Sequence, residues 1–252
     1  MKKVLITGAT SGIGRATAIS LAKEGYHLAL TGRRLKKLQT LHQEICDLNA
    51  PEPMLLQMDV KEEDQIKKGI ETLTEQWEQI DILINNAGLS LGLDPLHKGN
   101  LEDWDTMMNT NVRGLLIVSK AVANTMIKNG SGQIINISSI AGTQVYPNGN
   151  VYCASKHAVD ALTKAMRVDF LPYGIRVSSV SPGAVNTEFS SVRFKGDIER
   201  ANQVYDGYQP LVAEDIAASI LHIVKSPPHV NINDILITPT AQANAYNLHQ
   251  KK

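Results

Sequence analysis

At 252 residues, 43% hydrophobic and 20% charged, the chain has the composition of an ordinary globular protein and can bury a sizeable core. Lysine plus arginine and aspartate plus glutamate balance at 25 each, so no global field recruits nucleic acid or an anionic membrane. The two cysteines, Cys46 and Cys153, are too few for a disulfide framework and lack metal-type spacing, so no metal is expected and a reducing, cytoplasmic setting fits.

Met1-Lys2-Lys3 before Val4-Leu5-Ile6 superficially resembles a signal peptide, but the apolar stretch meets Gly8 and a polar turn too soon for an h-region. Nor does any run approach the ~20 apolar residues of a membrane span. Instead residues 3–7 read as a strand that enters Thr7-Gly8-Ala9-Thr10-Ser11-Gly12-Ile13-Gly14, with a helix over 13–23. Glycines there allow a tight turn and close backbone approach, and a helix N-terminus offers free N–H groups to an anion. A nucleotide pyrophosphate is the expected ligand of Gly8, Thr10, Ser11, Gly12, Ile13 and Gly14.

A second strand over 27–31 ends in Thr31-Gly32-Arg33-Arg34, without the acid that takes the ribose 2′-hydroxyl in NAD binders. Arg33 and Arg34 enter a helix over 35–47, where the helix dipole disfavours cations, and Arg15 poses the same conflict in the first helix. A bound 2′-phosphate would relieve it, so NADP is the expected cofactor.

Strands over 54–58, 82–85, 133–138, 176–180 and 234–237 then alternate with helix-period segments over 62–77, 101–128, 151–171 and 213–225. Lys61-Glu62-Glu63-Asp64-Gln65-Ile66-Lys67-Lys68 reads as a solvated helix face, and Pro172 and Gly174 stop the helix over 151–171. Continuous apolar strands between helices imply a parallel sheet buried on both faces. With no repeat or linker, residues 1–252 read as one doubly wound α/β domain of Rossmann type. The helix over 151–171 opens on Tyr152 and Lys156, which share a face at i and i+4. An ammonium beside a phenol favours the phenolate, which makes the pair a candidate acid near neutral pH.

Thr7–Gly14, Met58-Asp59-Val60, Asn85-Asn86-Ala87-Gly88, Asn111, Ile135-Asn136-Ile137-Ser138-Ser139, Tyr152-Cys153-Ala154-Ser155-Lys156 and Ser181-Pro182-Gly183 follow in order. This series resembles the short-chain dehydrogenase/reductase family over essentially the whole chain. Residues 185–197 and 228–233 are further similar to its NADP-dependent 3-hydroxy acid dehydrogenases, which act on L-allo-threonine, serine and related acids. The resemblance implies Asn111, Ser139, Tyr152 and Lys156 as the catalytic set. Tyr152 is then the proton donor and acceptor, Ser139 orients the same substrate oxygen, and Lys156 depresses the phenol's pKa and holds the nicotinamide ribose. Asn111 distorts its helix and anchors a water leading to the lysine. Cys153 reads as a packing residue.

For the cofactor the resemblance implies Asp59 and Val60 at the adenine, and Asn86, Ala87 and Gly88 along the dinucleotide. It puts Pro182, Gly183, Val185 and Thr187 beside the carboxamide. A substrate lid is expected over 186–209, with Gly196 as a hinge and Arg193 clamping the substrate carboxylate, as a guanidinium can do bidentately. A homotetramer paired through the helices over 101–128 and 151–171 is implied as well, with Ala158, Ala161 and Ala165 as a strip of close approach. Three alternatives stay open: a reductase of carrier-bound 3-oxoacyl chains, a broad ketone or sugar reductase, and a catalytically silent NADP-binding scaffold.

Overall fold

The structure, a computed structural model, describes residues 1–251. Seven strands form one parallel sheet: β1 (Lys3–Ile6), β2 (His27–Gly32), β3 (Met54–Gln57), β4 (Ile82–Asn85), β5 (Gly132–Ile137), β6 (Ile175–Pro182) and β7 (Asp234–Ile237). Their order is β3-β2-β1-β4-β5-β6-β7. Every strand foreseen in the sequence is present; β6 is longer at both ends.

Strand alternation divides the apolar residues between two layers. Val4, Ile6, Leu28, Leu30, Ile82, Ile84, Ile135 and Ile137 point to one face, where α1 (Gly12–Lys23), α2 (Leu35–Asp47) and α9 (Ala213–Lys225) cover them. Leu5, Ala29, Leu83 and Ile134 point to the other, under α3 (Glu63–Trp77), α5 (Leu115–Asn129) and α6 (Asn150–Asp169). Side chains such as Leu5, Leu28 and Ile82 are fully buried, and each such burial stabilises the fold by about 1.5–3 kcal/mol.

The stretch expected as one helix over 101–128 is divided. It comprises α4 (Leu101–Met108), a π-helical segment at Asn109–Gly114, and α5. Helix α6 gives way to a 3-10 turn at Leu171–Tyr173 and stops at Gly174, whose φ of 66° is left-handed. Two short helices, α7 (Glu188–Arg193) and α8 (Ile198–Gln203), lie within the segment expected as a lid.

Strand order reverses between β1 and β4, and the chain leaves these two strands in opposite directions. The crevice that opens at their carboxyl ends is where ligands bind in open α/β sheets.

Candidate active site

A cleft of about 320 Å³ runs along the carboxyl edge of the sheet. One end is walled by Gly8, Thr10, Ser11, Arg33, Arg34 and Asp59, and the other by Ser139, Tyr152, Lys156 and Phe189. Between them lie Met58, Val60, Asn86–Gly88, Pro182, Gly183, Val185 and Thr187. The motifs scattered through the sequence therefore meet around one groove.

The glycine turn leaves no room for side chains. A Cβ on Gly14 would fall 2.5 Å from the Gly8 carbonyl oxygen and closer still to the Asn86 amide. Gly8 and Gly12 have φ of 67° and 52°, a region that favours glycine. Helix α1 has neither a side-chain cap nor an acid in its first turn, so its leading N–H groups carry uncompensated positive charge into the cleft. Asn86 braces the turn by donating to the carbonyls of Thr7 (2.9 Å) and Gly8 (3.0 Å). This exposed backbone cradle fits the pyrophosphate of a dinucleotide.

The three arginines divide their work differently from expectation. Arg15 pairs with Glu44 on α2. Arg34 donates to the hydroxyls of Thr10 (3.0 Å) and Ser11 (2.8 Å) and to Glu188 of α7 (2.8 Å). Lys37 also pairs with Glu188. Desolvation pushes the Glu188 carboxyl up, but its bonds and charges from Lys37 and Arg34 outweigh it and bring it down to about 2. Arg33 keeps a side chain 62% exposed, with Asp59 at 3.9 Å its nearest acid. The less committed guanidinium at this end of the cleft is thus that of Arg33, which suits a 2′-phosphate.

At the opposite end, Tyr152 and Lys156 occupy the first two turns of α6, both buried. Ser139 follows β5, accepts from Ala141 N (3.1 Å) and donates to the Pro182 carbonyl (3.4 Å). Lys156 donates to the carbonyl of Ile137 (2.9 Å), its ammonium 6.0 Å from the centre of the Tyr152 ring. Burial pushes the lysine down to about 8.

Burial raises the pKa of the Tyr152 phenol and Tyr146 adds to the rise, while Arg193 lowers it.

Asn111 lies in the π-helical segment, a distortion frequent at functional sites. It bonds both backbone groups of Leu89 (2.8 Å each) and donates to Ser155 (3.0 Å). Cys153 is buried, and both cysteines are free thiols.

Arg193 reaches into the substrate end from α7. Its guanidinium carbon lies 5.1 Å from the Tyr152 ring centre, 5.2 Å from that of Phe189 and 5.7 Å from that of Tyr146. It donates to Ser90 (3.0 Å) and to the Tyr146 hydroxyl (2.5 Å), and among the described residues no carboxylate pairs with it. Ser90, Tyr146 and Glu188 were not foreseen as site residues. Nor was the tail: Gln242 accepts from Ala184 N (2.9 Å), Ala245 N donates to Gln144 (2.8 Å), and Lys251 N donates to the Gly207 carbonyl (2.8 Å).

Among the described residues no cluster of His, Cys, Asp or Glu could hold a metal ion, and no helix is long and apolar enough to cross a membrane.

Residues 2–197 match the short chain dehydrogenase family. A probable NADP-dependent dehydrogenase of Haemophilus influenzae is 44% identical over 96% of this chain and 94% of its own. The NADP-dependent 3-hydroxy acid dehydrogenase YdfG of Salmonella typhi is 42% identical over 96% of each chain. The closed form of a serine dehydrogenase complexed with NADP+ superposes with a TM-score of 0.93 at 39% identity, covering 99% of this chain and 100% of that one.

Proposed function

The chain belongs to the short chain dehydrogenase family, and from that membership we propose an NADP-dependent oxidoreductase acting on the 3-hydroxy or 3-oxo group of a small hydroxy acid. Serine, L-allo-threonine, 3-hydroxyisobutyrate and 3-hydroxypropionate are substrates of the right type. The relatives named for 3-hydroxy acids and for serine support that class. The observation that carries it is Arg193, a guanidinium without a carboxylate partner beside the Tyr152 phenol.

NADP(H), when bound, supplies or accepts the hydride. The chain's own residues manage position and protons. The glycine turn, from Gly8 to Gly14, cradles the pyrophosphate, Arg33 takes the 2′-phosphate with Arg34 behind it, and Asp59 and Val60 border the adenine. Asn86, Ala87 and Gly88 line the path between the two ends. Pro182, Gly183, Val185 and Thr187 border the carboxamide, and Lys156 holds the ribose hydroxyls. Tyr152 gives its proton to the substrate oxygen in reduction and removes it in oxidation, while Ser139 donates a hydrogen bond to the same atom. Asn111 keeps Ser155 and the Leu89 backbone in register beneath them. Residues 186–209 act as the lid that carries Arg193.

A carrier-bound acyl substrate would call for a basic patch at the cleft mouth. Arg193 points inward and Lys195 is neutralised by Asp103 at 2.8 Å, which favours a small free acid. The deciding experiment is NADP-linked oxidation of the four acids beside their methyl esters. The acids should be preferred by about tenfold or more, as loss of a charge-assisted pair implies; equal efficiency would overturn the reading.

We further propose a cytoplasmic homotetramer. Ala161 and Ala165 are exposed on α6, as are Val168 (72%) on the same helix and Leu116 (39%) on α5, and such apolar surface suits pairing. A monomer at micromolar concentration in light scattering would refute the assembly.

A further inference from the structure

Resting on the placement of Val185 beside the carboxamide, we infer that Tyr205 is a positioning residue for the nicotinamide. With Ser190 it ties the cofactor loop to the lid, so that nicotinamide seating and lid closure form one event.

Tyr205 follows α8 within the lid segment. Its half-buried hydroxyl lies 2.8 Å from the Val185 carbonyl and 2.8 Å from Ser190 Oγ. A phenol has one proton, and a carbonyl can only accept. Tyr205 therefore donates to Val185, and Ser190, buried in α7, donates to Tyr205. Burial raises this phenol above its ordinary value of ~10, so the proton stays in place at neutral pH.

The rest of the cofactor loop is anchored to the body. Gly183 N donates to the Ile237 carbonyl (2.7 Å), Ala184 N to Gln242 (2.9 Å) and Asn186 N to the Leu211 carbonyl (2.8 Å). The Ala184 carbonyl accepts from Leu211 N (3.0 Å). The Val185 carbonyl instead bonds to the lid. A peptide unit is planar, so the direction of this carbonyl also sets that of the Asn186 N–H, and losing one bond loosens the other. On the far side of the relay α7 and α8 are held together, with the Arg200 guanidinium carbon 4.4 Å from the Phe194 ring centre. Ser190 stands one turn before Arg193 on the same short helix. A shift of the Val185 carbonyl is thus passed through two hydroxyls to the helix that carries Arg193.

Tyr205→Phe keeps the ring and removes the relay's proton. Equilibrium titration of the full chain with NADPH and with 2′,5′-ADP, which lacks the nicotinamide half, separates the two ends of the cleft. The variant should bind NADPH about two- to tenfold more weakly, the range of one hydrogen bond, and 2′,5′-ADP as tightly as the wild type does. Limited trypsin digestion reads the lid, where Lys195 and Arg200 are exposed. In the wild type, saturating NADPH should slow cleavage there more than saturating 2′,5′-ADP; in Tyr205→Phe the two should protect equally. Ser190→Ala should weaken NADPH by less, since Tyr205 keeps its bond to Val185, and should add no further loss in the Tyr205→Phe background. Equal weakening of both ligands in a folded Tyr205→Phe, or extra protection by NADPH that survives the substitution, would overturn the inference. Should that variant fail to fold, Ser190→Ala decides by the same two readouts, and unchanged affinity and protection would overturn it. Equal protection by the two ligands in the wild type would instead remove Val185 from the carboxamide, and the inference with it.

Discussion

Glu188 and Arg34 meet across the mouth of the cofactor cleft, Oε2 to Nη1 at 2.8 Å, with Lys37 pairing to the same carboxylate. Glu188 opens α7 and Arg34 precedes α2, so the pairs join the lid side of the cleft to the phosphate corner. A Cβ on Gly12 would fall 3.2 Å from that of Thr187, so the start of α7 closes directly over the glycine turn and these pairs hold it there. Glu188→Gln should therefore speed NADPH release by about two- to fivefold, the scale of an exposed pair, and salt should mimic it. Fluorescence-detected chase of bound NADPH measures the rate. Because the Glu188 carboxyl is held down near 2, its contribution to stability is present above the ordinary carboxylate range and is lost as pH falls toward 2. The small Tm difference between wild type and Glu188→Gln should vanish over that window.

Tyr152→Phe should cut turnover by about a thousandfold and leave NADPH affinity nearly unchanged, since only the transferable proton is lost. Equilibrium titration beside steady-state rates checks both halves. Strong residual turnover would remove Tyr152 from the proton step.

Arg33→Asp should lower kcat/KM for NADP(H) by about ten- to a hundredfold and improve that for NAD(H), because it deletes the exposed guanidinium and sets an acid near the ribose. Arg34→Ala should act differently. It breaks the ties to Thr10, Ser11 and Glu188, and so should weaken both cofactors. Identical selectivity profiles for the two variants would contradict this division.

Lys156→Met should stabilise the protein free of cofactor while impairing catalysis. Burial holds the lysine near 8, well under its unfolded value of ~10.4, so below pH 8 the folded state carries a charge it disfavours. As pH rises from 8 to ~10.4 the unfolded state binds more protons than the folded one, and the wild type recovers stability. The variant's Tm should thus exceed that of the wild type by a few degrees at pH 7, with the gap closing by pH 10. A gap independent of pH would point to packing instead.

Most of the architecture was legible because its signals are local. Apolar runs fixed the strands, and Gly174 stopped α6 where a left-handed residue was needed. The break at Asn109–Gly114 was not legible, since Met107, Asn111 and Leu115 keep an inward spacing of four that reads as ordinary helix. In the site, motif residues identified the groove but not the division of labour within it. Arg33 and Arg34 are adjacent and chemically identical, and what distinguishes them is distant in sequence: Arg34 meets Thr10, Ser11 and Glu188, the last 154 residues away. Tyr146 and Ser90 lie 47 and 103 residues from Arg193, and no periodicity links a loop tyrosine to a helix arginine.

The tail contacts set an order on the protein's birth. Gln242 holds Ala184, Gln144 holds Ala245, and Gly207 holds Lys251, so the loops around the nicotinamide end are pinned by residues that leave the ribosome after all seven strands. A nascent chain can assemble its sheet and its glycine turn early, but the catalytic end stays unbraced until the tail emerges. A chain cut before Gln242 should therefore retain 2′,5′-ADP while turning over substrate more slowly than the uncut chain.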